Sequence, residues 1–553
     1  MPSNDSTDPA NKPTDPAKPA GPAEAAGPAK PAGPAGVPGA VPRTATMPDP
    51  RPQAAPPPYP GVRPIPMPQA APLWPVRIWP LGKDPAPPRA LLLALVAGLV
   101  AALTLRLDVP GLGVALTGAA MLGAALASRS GRLPVAQAAA AVLAIALAAV
   151  GAVRAADWLF ALCLLAALAM GALALVGGRS WIGLALGLAA PLFVQFRAWG
   201  WSIRGVRELG TGKGGQVARI LVVGLLSLAL AGIFGALFYG ADHAFAGIVD
   251  RVLPHLDGLS IAGNTILAVF VAGLTLSAGC LAALPPRFDG FSRDPRPVRT
   301  WEWAVPVAVL DVLFGGFAAI QLAVLFGHRK PALAGDYAEY ARQGFWQLLA
   351  VTVLTLLVVA VAAAYAGRAS RTDRIAVRLL IGGLCAFTLV IVASALSRMQ
   401  RYEEAFGFTQ LRILVHSTEL WLGLVFVLVL AAGIRLSGRW LPRAIAGTGA
   451  LALLALAGLN PDAYAAAHNV DRYNTTGNID VWYLRDLSPD AVPALQRLHD
   501  PLRSCALATI AEDLRRTEGD ERWYLYNAGR AAARTSLTDK PIDWTKTTCP
   551  PGR

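Results

Sequence analysis

The sequence predicts an all-α protein. A polytopic bundle of about eleven transmembrane helices lies between a disordered Pro-rich N-terminal tail and a small helical C-terminal domain. Three observations predict it. Apolar segments of roughly 18 to 24 residues recur from residue 89 to residue 459, and about 20 such residues carry a helix across the roughly 30 Å hydrocarbon core. Only 15% of the 553 residues are charged and 54% are hydrophobic, with mean hydropathy +0.47, whereas soluble domains carry about 25% charged residues. The basic residues gather in short loops between the apolar runs. No water inside a bilayer satisfies peptide groups, so repeated spans of this kind are helices.

Residues 1–88 hold 27 prolines among Ala, Gly and Lys. Such a run builds neither a core nor an α-helix. It is expected to be a disordered or partly polyproline II cytoplasmic tail, serving as a spacer, a docking site or nothing specific. The polar start and the late first apolar run do not read as a cleavable signal peptide. The expected spans are 89–106, 110–127, 134–153, 157–176, 217–239, 261–284, 304–326, 345–366, 375–396, 411–434 and 441–459. A further apolar stretch, 181–199, is interrupted by Gly187 and Pro191 and ends on Arg197. Charge decides its reading. With a cytoplasmic N-terminus and 181–199 interfacial or re-entrant, 19 basic residues of the loops and span ends face inward and nine face outward. That is the asymmetry of the positive-inside rule. Were 181–199 a crossing, every later loop would change side. Eleven crossings place the C-terminus outside.

The last segment, 460–553, carries 12 basic and 13 acidic residues, unlike the basic inner loops. Helical patterns run through NPDAYAAAHNVDRY, SPDAVPALQRLHDPL and ERWYLYNAGRAAART, and Ser488-Pro489-Asp490 fits a cap followed by Pro in the first helical turn. A small extracytoplasmic helical domain is expected. So short a segment gives a modest core, which a disulfide supports. Cys505 and Cys549 are its two cysteines, and an oxidising compartment favours their pairing. Cys163, Cys280 and Cys385 fall in apolar spans and read as small buried hydrophobes.

The formal net charge of +14 is accounted for by topology, so nucleic acid is not expected as a partner. Anionic lipid at the cytoplasmic loops is. The 14 Trp suit headgroup-level anchoring. No CxxC or Cys/His cluster, HExxH, GxSxG or EF-hand loop occurs, so no metal, cofactor or catalytic signature is found. GTGKGG at 210–215 lacks phosphate-loop spacing, and Asp242-His243 is an isolated pair.

Ionisable and polar residues inside spans are expensive and mark candidate sites. Asp311 and Gln321 share one span; Arg412, His416 and Glu419 fall at i, i+4 and i+7 of another, on one helical face. They form a candidate intramembrane polar path, or more plainly an internally paired seam that fixes packing. The stretch SRMQRYEEAFGFTQLR is expected to be an outer loop, with Arg398, Arg401, Tyr402 and Glu403 against the membrane surface. With Tyr337, Glu339, Tyr340 and Arg342 of the 327–344 loop it forms a candidate outer vestibule, or an ordinary solvated face.

Three polar stretches carry a family resemblance: GDYAEYARQGFWQLL (335–349), SRMQRYEEAFGFTQLRILVHSTELW (397–421) and NPDAYAAAHNVDRYNTTGNIDVWYLRDLSPDAVPAL (460–495). In this order they resemble the bacterial integral-membrane families of domains of unknown function 4153 and 4173, over roughly residues 89–500. The Ala-, Arg- and Pro-rich style points to an actinobacterial member. The resemblance implies a multi-pass membrane protein of no established activity. From the residues themselves two function classes stand: transport of a small polar solute or ion along the polar path, and a membrane-anchored sensor or scaffold whose outer domain binds an envelope component. A membrane-embedded transferase is a weaker third.

Overall fold

The structure is a computed structural model that describes residues 84–106, 108–178, 180–209, 215–242, 245, 247–248, 258–286, 298–326, 337–367, 370–517, 522–547 and 549. The Pro-rich stretch 1–83, most of GTGKGG and His243 lie outside the described residues.

Among the described residues every regular element is helical, and each expected span is a helix. In chain order they are α1 (Pro88–Thr104), α2 (Leu112–Ala127), α3 (Val135–Val153), α4 (Asp157–Val176), α5 (Trp181–Phe193), α6 (Gln195–Leu209), α7 (Gly215–Ala241) and α8 (Gly258–Ala283). There follow α9 (Thr300–Phe326), α10 (Tyr337–Tyr365), α11 (Arg371–Phe406), α12 (Gln410–Arg435) and α13 (Leu441–Leu459). Eight of these are long and apolar enough to cross a membrane by length and composition. Among the helices at expected spans, the two shortest, α1 and α2, have 17 and 16 residues. At 1.5 Å rise per residue they reach only about 25 Å, a little less than the hydrocarbon core. By contrast α11 has 36 residues, about 54 Å of helix. It contains a π-helical turn at Val377–Ile381. Ser370 opens it with a capping box, accepting from the Asp373 N–H at 2.9 Å while Asp373 reaches back to the Ser370 N–H.

The stretch 181–199 is a bent pair. Trp181–Pro191 and Gln195–Glu208 meet at 61°, the geometry of a broken span or a re-entrant loop. Ser180 caps the first arm through the Gly183 N–H. Pro191 lies just before the bend, where its missing N–H and its ring weaken the helix.

The bundle is turned inside out relative to a soluble protein. In α1 the stripe Ala90, Ala94, Ala97 and Ala101 is buried, while Leu92, Val96, Leu99 and Leu103 are exposed. Small residues let helices approach closely where lipid is as apolar as leucine. Gly98 packs directly on the Ala268 backbone of α8. One packed group joins α1–α4 with α8 and α13; a second joins α9–α12, and the contact of α12 with α13 links them.

Beyond Leu459 the chain turns at Asn460, which takes a left-handed conformation (φ 57°), tolerated by Asn better than by most residues. Pro461 then opens α14 (Pro461–Thr476). It is followed by α15 (Val481–Arg485), a 3₁₀ turn at Pro489–Ala491, α16 (Val492–Leu495), α17 (Leu502–Arg516), a turn at Trp523–Leu525, α18 (Ala528–Asp539) and a last turn at Trp544–Lys546. Val470, Leu484, Val492, Leu495, Leu498, Leu507 and Ile510 form a core of their own here. The ERWYLYNAGRAAART pattern resolves into a short turn and a helix, because Asn527 caps α18 at Arg530 and stops any earlier start. Cys505 and Cys549 are disulfide-bonded, with Cα atoms 5.2 Å apart, and the other three cysteines are free and buried.

Two predictions follow from this segment. The disulfide closes a loop with a sequence separation of 44. Replacing both cysteines by Ser is expected to lower stability by about 4 kcal/mol in the chain-entropy model, read as a lower denaturation midpoint of the detergent-purified protein. Asp500 accepts from Ser504 Oγ at 2.5 Å and from Arg503 Nη2 at 3.0 Å, and these bonds hold its carboxyl below the usual carboxylate range. Hydrogen bonds from Thr545 and Lys546 pull Asp543 down to about 2. A depressed folded-state value stabilises the fold above the unfolded value, about pH 4, and that contribution is lost as pH falls through the lower folded value. The thermal midpoint is therefore expected to fall on acidification below about pH 4, and Asp500→Asn should flatten that limb.

Candidate functional site

The candidate polar residues divide between two helix seams, both built on α11. In the first, α9 packs on α11. Gln321 is 5% exposed, and its Oε1 accepts from Ser394 Oγ at 2.8 Å and Arg398 Nη2 at 2.7 Å. Asp311, ten residues earlier on α9, faces Gly383 of α11. Its Oδ1 is buried without a hydrogen-bond partner. A Cβ at Gly383 would lie 3.4 Å from Asp311 Oδ1, an ordinary contact.

The second seam lies between α11 and α12. Thr409 caps α12 by accepting the Arg412 N–H. Arg412, His416 and Glu419 descend from that cap along the helix, and the structure separates their roles. Arg412 bends back to donate to the carbonyls of Phe406 and Gly407, and its guanidinium lies 4.5 Å from the centre of the Tyr402 ring. It closes the C-terminal end of α11, where cations are favoured. His416 instead faces Glu403 of α11, Nδ1 to Oε2 at 3.8 Å, longer than a hydrogen bond. Glu403 and Glu419 are each 4% exposed. His416 Nδ1 and Glu419 Oε2 are buried without hydrogen-bond partners. Among the described residues Arg412 makes no ion pair with Glu419. Its side chain instead caps α11.

The stretch expected as an outer loop is largely helix. Arg398, Arg401, Tyr402 and Glu403 lie on the last turns of α11, and only Gly407–Thr409 separate it from α12. Arg398 turns inward to Gln321, Arg401 bonds Ser397 of its own helix, and Tyr402 stacks on Phe406 with centroids 4.8 Å apart. The helix continues through this run because its charges fall at helix-compatible spacing. Tyr337, Glu339, Tyr340 and Arg342 fall on the first turns of α10 rather than in a loop; their side chains lie outside the described residues. Among the described residues no group of three or more His, Cys, Asp or Glu is placed to hold a metal ion.

A third polar seam was not read from the sequence. It joins the helices after Leu459 to the ends of the bundle. Asp462, fully buried, accepts from Trp158 Nε1 of α4 (3.3 Å), Gln410 Nε2 of α12 (3.0 Å) and the Ser488 N–H (3.0 Å). Asp490, 4% exposed, accepts the Ala155 N–H at 2.7 Å, just ahead of α4. Burial pushes its carboxyl up, against that bond and the nearby Arg154. Gly529 leaves Asp490 its room, since a Cβ there would run into the carboxylate. Asn527 donates to the Gly151 and Arg154 carbonyls at 2.8 and 2.7 Å, closing the C-terminal end of α3. Arg154 Nε in turn donates to the Ala457 carbonyl at the end of α13, 2.6 Å. At α12 the Tyr483 hydroxyl accepts the Gln410 N–H at 2.7 Å, and burial raises that hydroxyl to about 12. Asn469 pairs reciprocally with Phe408, accepting its N–H at 3.0 Å and donating to its carbonyl at 2.8 Å. A signal for this seam does exist in the sequence. Asn460-Pro461-Asp462 and Ser488-Pro489-Asp490 repeat one pattern. In both, the Asp caps a neighbouring element instead of its own helix.

A chain of apolar helices with buried small-residue stripes and polar seams is an integral, multi-pass α-helical membrane protein. It belongs to the family described as Domain of unknown function (DUF4153), whose match covers residues 138–498 and so includes both α11 seams and the Asp462 and Asp490 capping residues. Neither the curated proteins nor the solved structures compared with it give a match.

Replacing Asp462 by Ala would remove the acceptor of three half-buried donors, each costing about 1 kcal/mol. The expected outcome is a loss of about 3 kcal/mol or more and faster proteolysis after Leu459, read by limited digestion of the purified protein. Gly529→Ala should destabilise in the same assay, while Arg401→Ala, on an exposed face, should not.

Proposed function

We propose that the protein moves a small polar solute or ion across the membrane along the two α11 seams. The observation that carries this reading is the set of unpartnered buried atoms, Asp311 Oδ1, His416 Nδ1 and Glu419 Oε2. A packing seam alone would pair these atoms, as it pairs Gln321 with Ser394 and Arg398. Buried polar groups without partners are rare and costly, and inside a membrane they default to a functional role. In this reading Asp311, His416 and Glu419 meet the solute. Gln321 and Arg412 hold the helices, and Glu403 polarises His416. The Arg398, Arg401, Tyr402 and Glu403 turn, with Tyr337, Glu339, Tyr340 and Arg342 of α10, forms the mouth.

The location belongs to the same proposal. The basic asymmetry supports a multi-pass protein of a bacterial plasma membrane. Its Pro-rich tail, 1–88, is cytoplasmic, anionic lipid lies at the inner loops, and 460–553 forms an extracytoplasmic domain. A reporter active only outside the cytoplasm, fused at Arg553, should be active in well-expressed protein; an inactive fusion overturns the orientation.

A second reading has its own support. The segment after Leu459 is fastened to α3, α4 and α12 by buried and half-buried polar bonds. Such rigid attachment suits a sensor or scaffold whose outer part binds an envelope component and transmits that binding to the helices. Proteoliposomes loaded with pH- and cation-sensitive dyes separate the two. Glu419→Gln and Asp311→Asn should each lower flux about tenfold or more, some 1.4 kcal/mol in the barrier, with unchanged folding. Flux at wild-type level in both variants would remove the transport reading and leave the sensor.

A further inference from the structure

We infer that, within the transport reading on which this rests, the ion taken by the α11–α12 seam is a proton, held by Glu403, His416 and Glu419. The three side chains form a line. His416 Nδ1 of α12 lies 3.8 Å from Glu403 Oε2 of α11. Glu419 follows His416 at the i+3 spacing that makes helix side chains neighbours, about 14 Å along α12 from Gln410. Glu403 and Glu419 are each 4% exposed, and His416 Nδ1 and Glu419 Oε2 are buried without hydrogen-bond partners. The imidazole is the most open of the three.

Charge decides what this line can hold. The basic groups on the surrounding elements are engaged elsewhere. On α12 itself, Arg412 is held by the Phe406 and Gly407 carbonyls and the Tyr402 ring. On α11, Arg398 bonds Gln321, Arg401 bonds Ser397, and Arg378 of the π-helical turn bonds the Ile434 carbonyl at the far end of α12. Arg443 of α13 donates to the Gly178 carbonyl. From α14, Arg472 donates to the Ala405 carbonyl, and His468 Nδ1 lies 2.9 Å from the Tyr464 carbonyl. Asp462 of α14 and Tyr483 of α15 accept from Gln410. The described side chains of α10 bring Tyr365, at its last residue. Among the described residues, His416 is the one basic group at ion-pair distance from Glu403, and none is at that distance from Glu419.

An ionised carboxylate left alone at this depth is costly. A proton removes the charge, and two acids with one imidazole between them can pass it on. Neutral Glu403 gives the proton on Oε2 to His416 Nδ1, which leaves a carboxylate facing an imidazolium. The imidazolium gives a proton to Glu419 once Glu419 has released its own, and returns to neutral imidazole. Glu403 then takes the next proton from the side of the α11–α12 turn. A metal cation suits this line less well. Calcium and magnesium gather about six or more oxygens, and among the described residues no three His, Cys, Asp or Glu are placed to hold a metal ion. An anion would meet two acids.

Infrared difference spectroscopy of the full-length protein in lipid, recorded on a pH jump, tests this. A buried carboxylic acid gives a C=O band apart from those of solvated acids, and the band shifts in deuterated water. Two such bands are expected, one lost in Glu403→Gln and the other in Glu419→Gln. His416→Gln should move the titration of the Glu403 band by about one pH unit or more. Bands unchanged in both glutamate variants, or displaced by sodium or potassium at constant pH, overturn the proposal. Should a variant fail to fold, wild-type protein carrying isotope-labelled glutamate decides alone: without a buried-acid band that moves with the label, the proposal falls. Flux into dye-loaded proteoliposomes is read separately. Bands without flux keep the proton site and remove the transport reading, whereas metal-cation flux without bands keeps transport and overturns the proton.

Discussion

The turn between α3 and α4 is the constraint on which the rest depends. A helix end at a membrane surface exposes N–H and C=O groups that its own helix does not satisfy. At Gly151–Ala156 those groups are met from far along the chain, by Asn527 and Asp490, while the Arg154 side chain satisfies the end of α13. One corner thus fixes three helix ends and the helices after Leu459 together. The corner is also dry, since Asp490 and Asn527 are nearly inaccessible. Low dielectric strengthens each bond, and it also makes a missing partner expensive.

The same logic repeats at the α11–α12 turn. Arg412, Arg472, Asn469 and Tyr483 satisfy the backbone around Gly407 and Gln410. Gly407, at φ 81°, takes a conformation that disfavours a side chain, and a Cβ there would strike Asn469. The C-terminal segment thus holds both the α3–α4 corner and the α11–α12 turn. A movement of that segment would be felt at His416 and Glu403, a few residues below the turn. Here the transport and sensor readings meet. The sensor reading needs the C-terminal segment and the α11–α12 pair to be mechanically joined, and the transport reading needs a solute to pass along the seams below that junction.

Within the bundle two kinds of polar residue coexist. Gln321, Ser394 and Arg398 are mutually satisfied and behave as packing glue. Asp311, His416 and Glu419 are not. The difference lies in reach. Arg398 is long enough to cross from α11 to Gln321, whereas Asp311 faces Gly383, which offers no side chain.

The sequence by itself determined the helical class, the position of the apolar helices and the disulfide. Span length, apolar composition and the placing of two cysteines in one polar segment are local properties, and the bilayer leaves helices few alternatives. It also showed which intramembrane residues are costly, since Asp311, Gln321, His416 and Glu419 stand out against apolar neighbours. It misread the run after Ser397 as loop, because charge there serves helix capping and cation–π contact rather than solvation. Only the tertiary structure decided which candidates are paired. Arg412 and Glu419 share a helical face by spacing, yet Arg412 turns to carbonyls of the preceding helix that no periodicity places within its reach. The capping of α3 and α4 by Asn527 and Asp490 was equally hidden, with partners separated by 376 and 335 residues. Hydrogen bonds over such separations depend on how helices pack, and packing follows from the shapes of many small side chains at once rather than from any one segment.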